Sequence, residues 1–200
     1  MRSIDKSNRE AHVRLFDRIA LPYSWFFAAQ TKTYAACFEI RRSALPEPKG
    51  KRALDIGCGS GAFTQALKDE GWDTDSVDAA PGMIAYAKKR GLLCRYGNVL
   101  LGLPFPDKSY DLVTAAYVAH GLKAEDRRIL FEETRRLSRG VVLFHDYNSV
   151  RGLATDIVEY LEHSDYFTFI HSAIEELNAT FSSVEIIQVG RQSAWYICTP

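Results

Sequence analysis

The chain carries no excess of charge of either sign, with 25 basic residues against 25 acidic ones in 200. A field of the kind that draws proteins onto phosphate backbones or anionic lipid is missing, so neither nucleic acid nor membrane is an expected partner. Cysteines are few: Cys37, Cys58, Cys94 and Cys198 are scattered, with no CxxC pair and no histidine at ligand spacing. That argues against a disulfide framework and against a zinc site, and for a reducing compartment. No apolar run approaches the ~18 residues that a spanning helix needs, and the opening Met1-Arg2-Ser3-Ile4-Asp5-Lys6 has no apolar leader core. The expected location is cytoplasmic. With 13 Gly, 7 Pro, no low-complexity tract and no internal repeat, collagen-like, disordered and solenoid classes are excluded. The sequence leaves the oligomeric state open.

What remains is an ordinary globular composition, 46% hydrophobic and 12% aromatic, long enough for one domain to bury roughly 70% of its unfolded surface. From about residue 50, short β-branched runs alternate with amphipathic stretches, the pattern of a parallel sheet covered by helices on both faces. Strands are predicted at 53–56, 75–78, 92–96, 112–118 and 140–144, and a terminal hairpin at 184–189 and 194–198. Helices are predicted after Gly61, from Pro81 to Arg90 before Gly91, from Glu125 toward Arg139, after Ser149 on Leu153, Ile157 and Leu161, and around Phe169–Leu177. Residues 1–49 read as a helical cap with an aromatic cluster, Tyr23, Trp25, Phe26 and Phe27, and a proline-bearing connector; residues 50–200 read as an α/β core, the two forming a single domain.

The strongest signal is Asp55-Ile56-Gly57-Cys58-Gly59-Ser60-Gly61, which leaves a strand and opens a helix, where backbone amides and a helix N-terminus meet a ligand. Asp78 ends the next strand, 21 residues past Gly57, placed to accept both hydroxyls of a ribose. The same letters satisfy a dinucleotide pattern through Gly57, Gly59 and Ala62, so an NAD(P)-dependent oxidoreductase competes with a methyltransferase. Two features favour the second. S-adenosylmethionine carries an ammonium and a sulfonium, for which Asp55 supplies a carboxylate, and the closing hairpin is a poor second mononucleotide half.

Several segments, in order, resemble the class I S-adenosylmethionine-dependent methyltransferases, in their small-molecule branch: Leu54–Gly61, Val77–Ile84, Tyr96-Gly97-Asn98-Val99 and Leu103–Val113. The resemblance implies a doubly wound, Rossmann-like seven-stranded sheet of order 3-2-1-4-5-7-6 with the last strand antiparallel. It implies S-adenosyl-L-methionine as cofactor and S-adenosyl-L-homocysteine as product. Cofactor contacts are implied at Asp55, Gly57, Cys58, Gly59, Gly61, Asp78, Ala79, Met83, Asn98 and Val99, with Asn98 standing where the family usually has Asp. The segment Phe16-Asp17-Arg18-Ile19-Ala20 with Tyr23 is similar to a helical cap whose tyrosine approaches the cofactor, although Ser24 replaces the usual aspartate.

For catalysis the candidates are Tyr117, His120 and His145, all near the C-terminal ends of strands four and five. His120 is read as a base or substrate contact, or as a loop histidine; His145 with Asp146 as a base and its orienting carboxylate, although neighbours on a strand face opposite ways. Tyr117 is read as lining the transfer pocket or packing the strand end. No metal is called for. The expected acceptor is a small, partly apolar molecule, and a protein that binds the cofactor without turnover remains the third reading.

Overall fold

The computed structural model describes residues 26–161 and 164–200. Seven strands form one sheet: β1 (Arg52–Ile56), β2 (Asp73–Asp78), β3 (Cys94–Tyr96), β4 (Tyr110–Ala116), β5 (Ser138–Tyr147), β6 (Ser183–Gln188) and β7 (Ser193–Thr199). Their order is β3-β2-β1-β4-β5-β7-β6, with β7 antiparallel to both neighbours and the remaining pairs parallel. The expected order is met. Among the described residues six helices accompany it: α1 (Phe27–Arg41), α2 (Ala62–Asp69), α3 (Pro81–Lys89), α4 (Ala124–Leu137), α5 (Leu153–Leu161) and α6 (Tyr166–Thr180).

Period-two alternation sends successive strand residues to opposite faces. Ala53, Leu112, Leu143 and Trp195 meet Phe63, Ala66 and Leu67 of α2 and Tyr34, Cys37 and Phe38 of α1 on one face. Leu54, Val113, Val142 and Tyr196 meet Leu130 and Phe131 of α4 and Phe169 and Leu177 of α6 on the other. Each large side chain so buried contributes about 1.5–3 kcal/mol, which is why the sheet needs both layers. Ring contacts fix α1 in place: Tyr34 and Phe38 lie 4.9 and 5.5 Å from Phe63, and Phe38 lies 5.1 Å from Trp195.

Boundaries moved where side chains overrode propensity. β3 begins at Cys94 rather than 92, because Leu92 turns into the cluster beneath α3. β5 begins at Ser138, so Arg139 is a strand residue that clasps Asp111 through two hydrogen bonds of 2.7 and 2.8 Å rather than the end of the predicted helix. Arg136 likewise is tied to Glu133 and Asp107. The helix after Ser149 forms, yet its Leu153 and Ile157 face outward. Tyr23, Trp25 and the 16–20 segment lie outside the described residues; Phe26 is exposed and Phe27 packs against the Cys58 cluster.

Candidate functional site

From β1 the chain winds outward through β2 to β3, then returns to β4 on the other side of β1. The C-terminal ends of β1 and β4 therefore flank the crevice where open α/β sheets take their ligands.

The turn after β1 is pinned from below: Gly57 and Cys58 donate their N–H groups to Val77 O at 2.9 and 3.1 Å. Gly59 stands at φ +54°, with no atom within 4 Å of where a Cβ would point. Gly61 stands at φ +92°, and a Cβ there would meet Leu92 Cδ1 at 2.2 Å. One glycine is required by the protein's own packing, while the other keeps backbone open to whatever approaches. Beside it, Ser60 Oγ is buried with no hydrogen-bond partner among the described residues.

Asp78 closes this cradle. Its two oxygens accept N–H bonds from Gly59 at 2.7 Å and Ala80 at 2.8 Å, and the Ala79 amide adds a third. Burial pushes its carboxyl above the ordinary range, against the pull of the Ala80 and Gly59 amides. Ala79 is half-buried, and Met83 is buried under the turn into α3. Asn98 caps the 3-10 turn Val99–Leu101, its Oδ1 accepting from Leu100 N at 3.0 Å; Val99 is buried behind it. An orphaned hydroxyl, an open glycine and a pre-oriented carboxylate fit a nucleoside-bearing ligand.

Asp55 lies underneath, 1% exposed. Its oxygens accept from Thr64 Oγ1 at 2.6 Å and Thr114 Oγ1 at 3.0 Å, and burial outweighs these bonds to push its carboxyl up to about 7. The carboxyl lies within the sheet rather than on the crevice wall.

The catalytic candidates separate. Asp146 turns to the face opposite His145 and bonds His120 instead, Oδ1 to Nδ1 at 2.7 Å, while its Oδ2 accepts from the N–H groups of Ala119 and His120. A carboxylate only accepts, so His120 Nδ1 carries a proton and Nε2 is the ring's other nitrogen. It lies 3.6 Å from Glu159 Oε2, a buried carboxylate on α5 that the sequence reading did not single out. Nothing in its spacing marks it, since it reaches the site only because α5 folds back beside the loop after β4. His145 accepts a hydrogen bond from Trp195 Nε1 at 2.8 Å and sits among Tyr34, Phe63 and Tyr117; burial pulls its ring down to about 4. Tyr117, at φ +53°, bridges the two histidines, with ring centroids 6.0 Å from His120, 5.1 Å from His145 and 5.0 Å from Tyr147. A non-glycine residue held there is strained, and such strain gathers at working sites.

Residues 54–144 match the profile of a methyltransferase domain family. Malonyl-[acyl-carrier protein] O-methyltransferase of Serratia marcescens is 30% identical over 146 residues, 70% of this chain and 54% of the relative. Demethylmenaquinone methyltransferase of Thermus thermophilus is 36% identical over 95 residues, 42% of this chain and 43% of the relative. The chain thus spans about half the length of these two relatives. Among solved structures, a DhpI–SAH complex superposes with a TM-score of 0.70 at 19% identity, covering 96% of each chain.

Proposed function

The chain belongs to the class I S-adenosylmethionine-dependent methyltransferases of the type 11 kind, and from that premise we propose that it transfers the methyl group of S-adenosylmethionine to a small, partly apolar acceptor. The observation that carries this reading is the cradle itself: Gly59 open beside a pre-oriented Asp78, at the switch between β1 and β4. When bound, the cofactor supplies an electrophilic methyl group on a sulfonium.

The chain's own residues divide the work. Asp78 offers its carboxylate to ribose hydroxyls, Asn98 and Val99 stand where an adenine edge would be met, and Ser60 Oγ gains the partner it otherwise misses. Asp55 sets the potential beneath the turn, with Cys58, Gly57 and Gly61 shaping it. Tyr117 and Tyr147 line the acceptor side with aromatic surface. We assign the proton-accepting role to His120 Nε2, oriented by Asp146 at Nδ1. His145 is left to the core, because a ring pulled down to about 4 and bonded to Trp195 is a weak base.

Support for a small acceptor comes from the relative named for demethylmenaquinone and from the balanced charge; the other relative is named for a malonyl group carried on an acyl-carrier protein. The four free thiols are in keeping with a cytoplasmic location.

Calorimetry with S-adenosylhomocysteine, S-adenosylmethionine and NAD is the first test. Saturable binding of the first two alone is expected, and Asp78→Ala should weaken it by roughly 1–3 kcal/mol because ribose hydroxyls lose a charged acceptor. NAD binding alone would overturn the reading. Screening small-molecule extracts and nucleic acids in parallel, with S-adenosylhomocysteine release as readout, then finds the acceptor class. Turnover only on nucleic acid would sink the small-molecule claim, and binding without turnover on anything would place the chain among non-catalytic binders. With an acceptor in hand, His120→Gln should lower kcat by about 10²-fold or more while leaving the S-adenosylhomocysteine Kd unchanged.

A further inference from the structure

Two of the four cysteines, distant in sequence, meet in space. Cys58 lies in the glycine turn after β1, its N–H held by Val77 O. Cys94 opens β3, paired in register with Ser76 of β2. Their sulfur atoms are 2.7 Å apart, inside van der Waals contact, in a small cluster closed by Ile84, Ala87 and Leu92. Cys37 and Cys198 belong to other places: Cys37, on α1, packs with α2, its Sγ 3.7 Å from Val189 O, and Cys198, on β7, lies in the core on the other face.

We propose that Cys58 and Cys94 form an oxidation site that closes to an intramolecular disulfide under a hydroperoxide, pinning the glycine turn to the head of β3. A disulfide needs its sulfurs about 2.05 Å apart, so closing the remaining gap asks for less than an ångström of movement and leaves the sheet intact. The chemistry balances with hydrogen peroxide as oxidant. The first thiol, deprotonated, attacks a peroxide oxygen, forming a sulfur–oxygen bond, breaking the oxygen–oxygen bond and releasing water once its proton is returned. The second thiol attacks that sulfur, the sulfur–sulfur bond forms and a second water leaves. Each thiol gives up one electron, and the two reduce the peroxide.

Cys58 is the entry point, since it adjoins the open side of Gly59 whereas Cys94 lies deeper. The hydrogen bond to Cys94 and burial push the Cys58 thiol well up, which keeps thiolate scarce and makes the reaction slow rather than hair-trigger. The position is consequential because the turn carries the proposed ligand cradle; on that reading, a ligand over Gly59 shields Cys58.

The test is to treat the native protein with excess hydrogen peroxide and follow intact mass and peptide maps. The expected result is loss of the mass of two hydrogens, a Cys58–Cys94 crosslink, reversal by dithiothreitol and a raised Tm. A Cys37→Ser/Cys198→Ser double variant should behave alike, while Cys58→Ser and Cys94→Ser should each fail to crosslink. S-adenosylhomocysteine at about ten times its Kd should slow crosslinking about tenfold by mass action. A crosslink through Cys37 or Cys198, none at all, or one that forms only in denaturant would overturn the proposal. If calorimetry shows the ligand bound yet the rate is unchanged, the shielding of Cys58 is overturned. A crosslink that forms in a protein binding no ligand instead overturns the functional reading and upholds the dithiol.

Discussion

Asp55 and His145 share one face of the sheet, and burial acts on them in opposite senses. Asp55 is pushed up to about 7, so the folded state holds its proton more tightly than the unfolded chain does. Its contribution to stability is full below the ordinary carboxylate range and is lost as pH rises through about 7. His145 is pulled from 6.5 to about 4, so the unfolded chain protonates first, and stability is lost as pH falls from 6.5 through 4. In the wild type the two slopes oppose one another across mildly acidic pH. Asp55→Asn should therefore gain stability relative to wild type as pH rises from about 4 to 7, and His145→Gln should gain as pH falls over the same window. Melting curves of the three proteins at half-unit pH steps check this, and curves that run parallel would refute both assignments. The sequence revealed Asp55 by its place before the glycine turn but not its burial, which depends on Thr64 and Thr114, residues nine and fifty-nine positions away.

The β1–α2 turn joins packing and the proposed ligand cradle in one element, and its glycines pull the two apart. Gly61→Ala forces a left-handed alanine, at about 1–2 kcal/mol, and drives its methyl against Leu92, which is packed among Ile84, Ala87 and Cys94. Gly59→Ala meets no neighbour, so its stability loss should be limited to the backbone, yet the methyl protrudes into the cradle. The expected outcome is a larger drop in Tm for Gly61→Ala and a larger loss of S-adenosylhomocysteine affinity for Gly59→Ala, read by thermal denaturation and calorimetry. Equal effects on both measurements would mean that the turn works only as packing. Elements of this kind were legible because turn chemistry is local: Pro81 at the first helical position and the Gly57–Gly61 run marked the starts of α3 and α2. The start of β5 was not legible. Ser138 and Arg139 carry helix-compatible letters, and only the Asp111 clasp on Arg139 and the pairing of Ser138 with Tyr110 make them strand. The His120–Asp146 pair was half legible: alternation along β5 showed that Asp146 turns away from His145, but the approach of the loop after β4 is a tertiary event that spacing does not encode.

At the scale of the whole molecule, the layer of α4 and α6 must hold the loop bearing His120 steady against the sheet, and one side chain ties these parts together. Arg127 of α4 is fully buried, bonding Glu176 of α6 through Nε and Nη2 at 2.7 and 2.8 Å and Asp165 through Nη1 at 2.7 Å. The same Nη1 donates to Leu122 O, the carbonyl that follows the 3-10 turn Ala119–Gly121 and so anchors His120 from behind. The two acidic partners are only partly exposed, at 22% and 26%, so removing the guanidinium strands them in a poorly solvated place. Arg127→Ala should lower stability by about 3–5 kcal/mol, the range for a broken buried pair. Arg127→Met combined with Glu176→Leu, which replaces the main ion pair with apolar volume, should recover much of that loss. If Arg127 also positions the loop, the double variant will fold well yet keep a lowered kcat with an unchanged S-adenosylhomocysteine Kd, because the Leu122 anchor is still gone. Full recovery of kcat together with stability would confine Arg127 to the helical layer and leave His120 positioned by Asp146 alone.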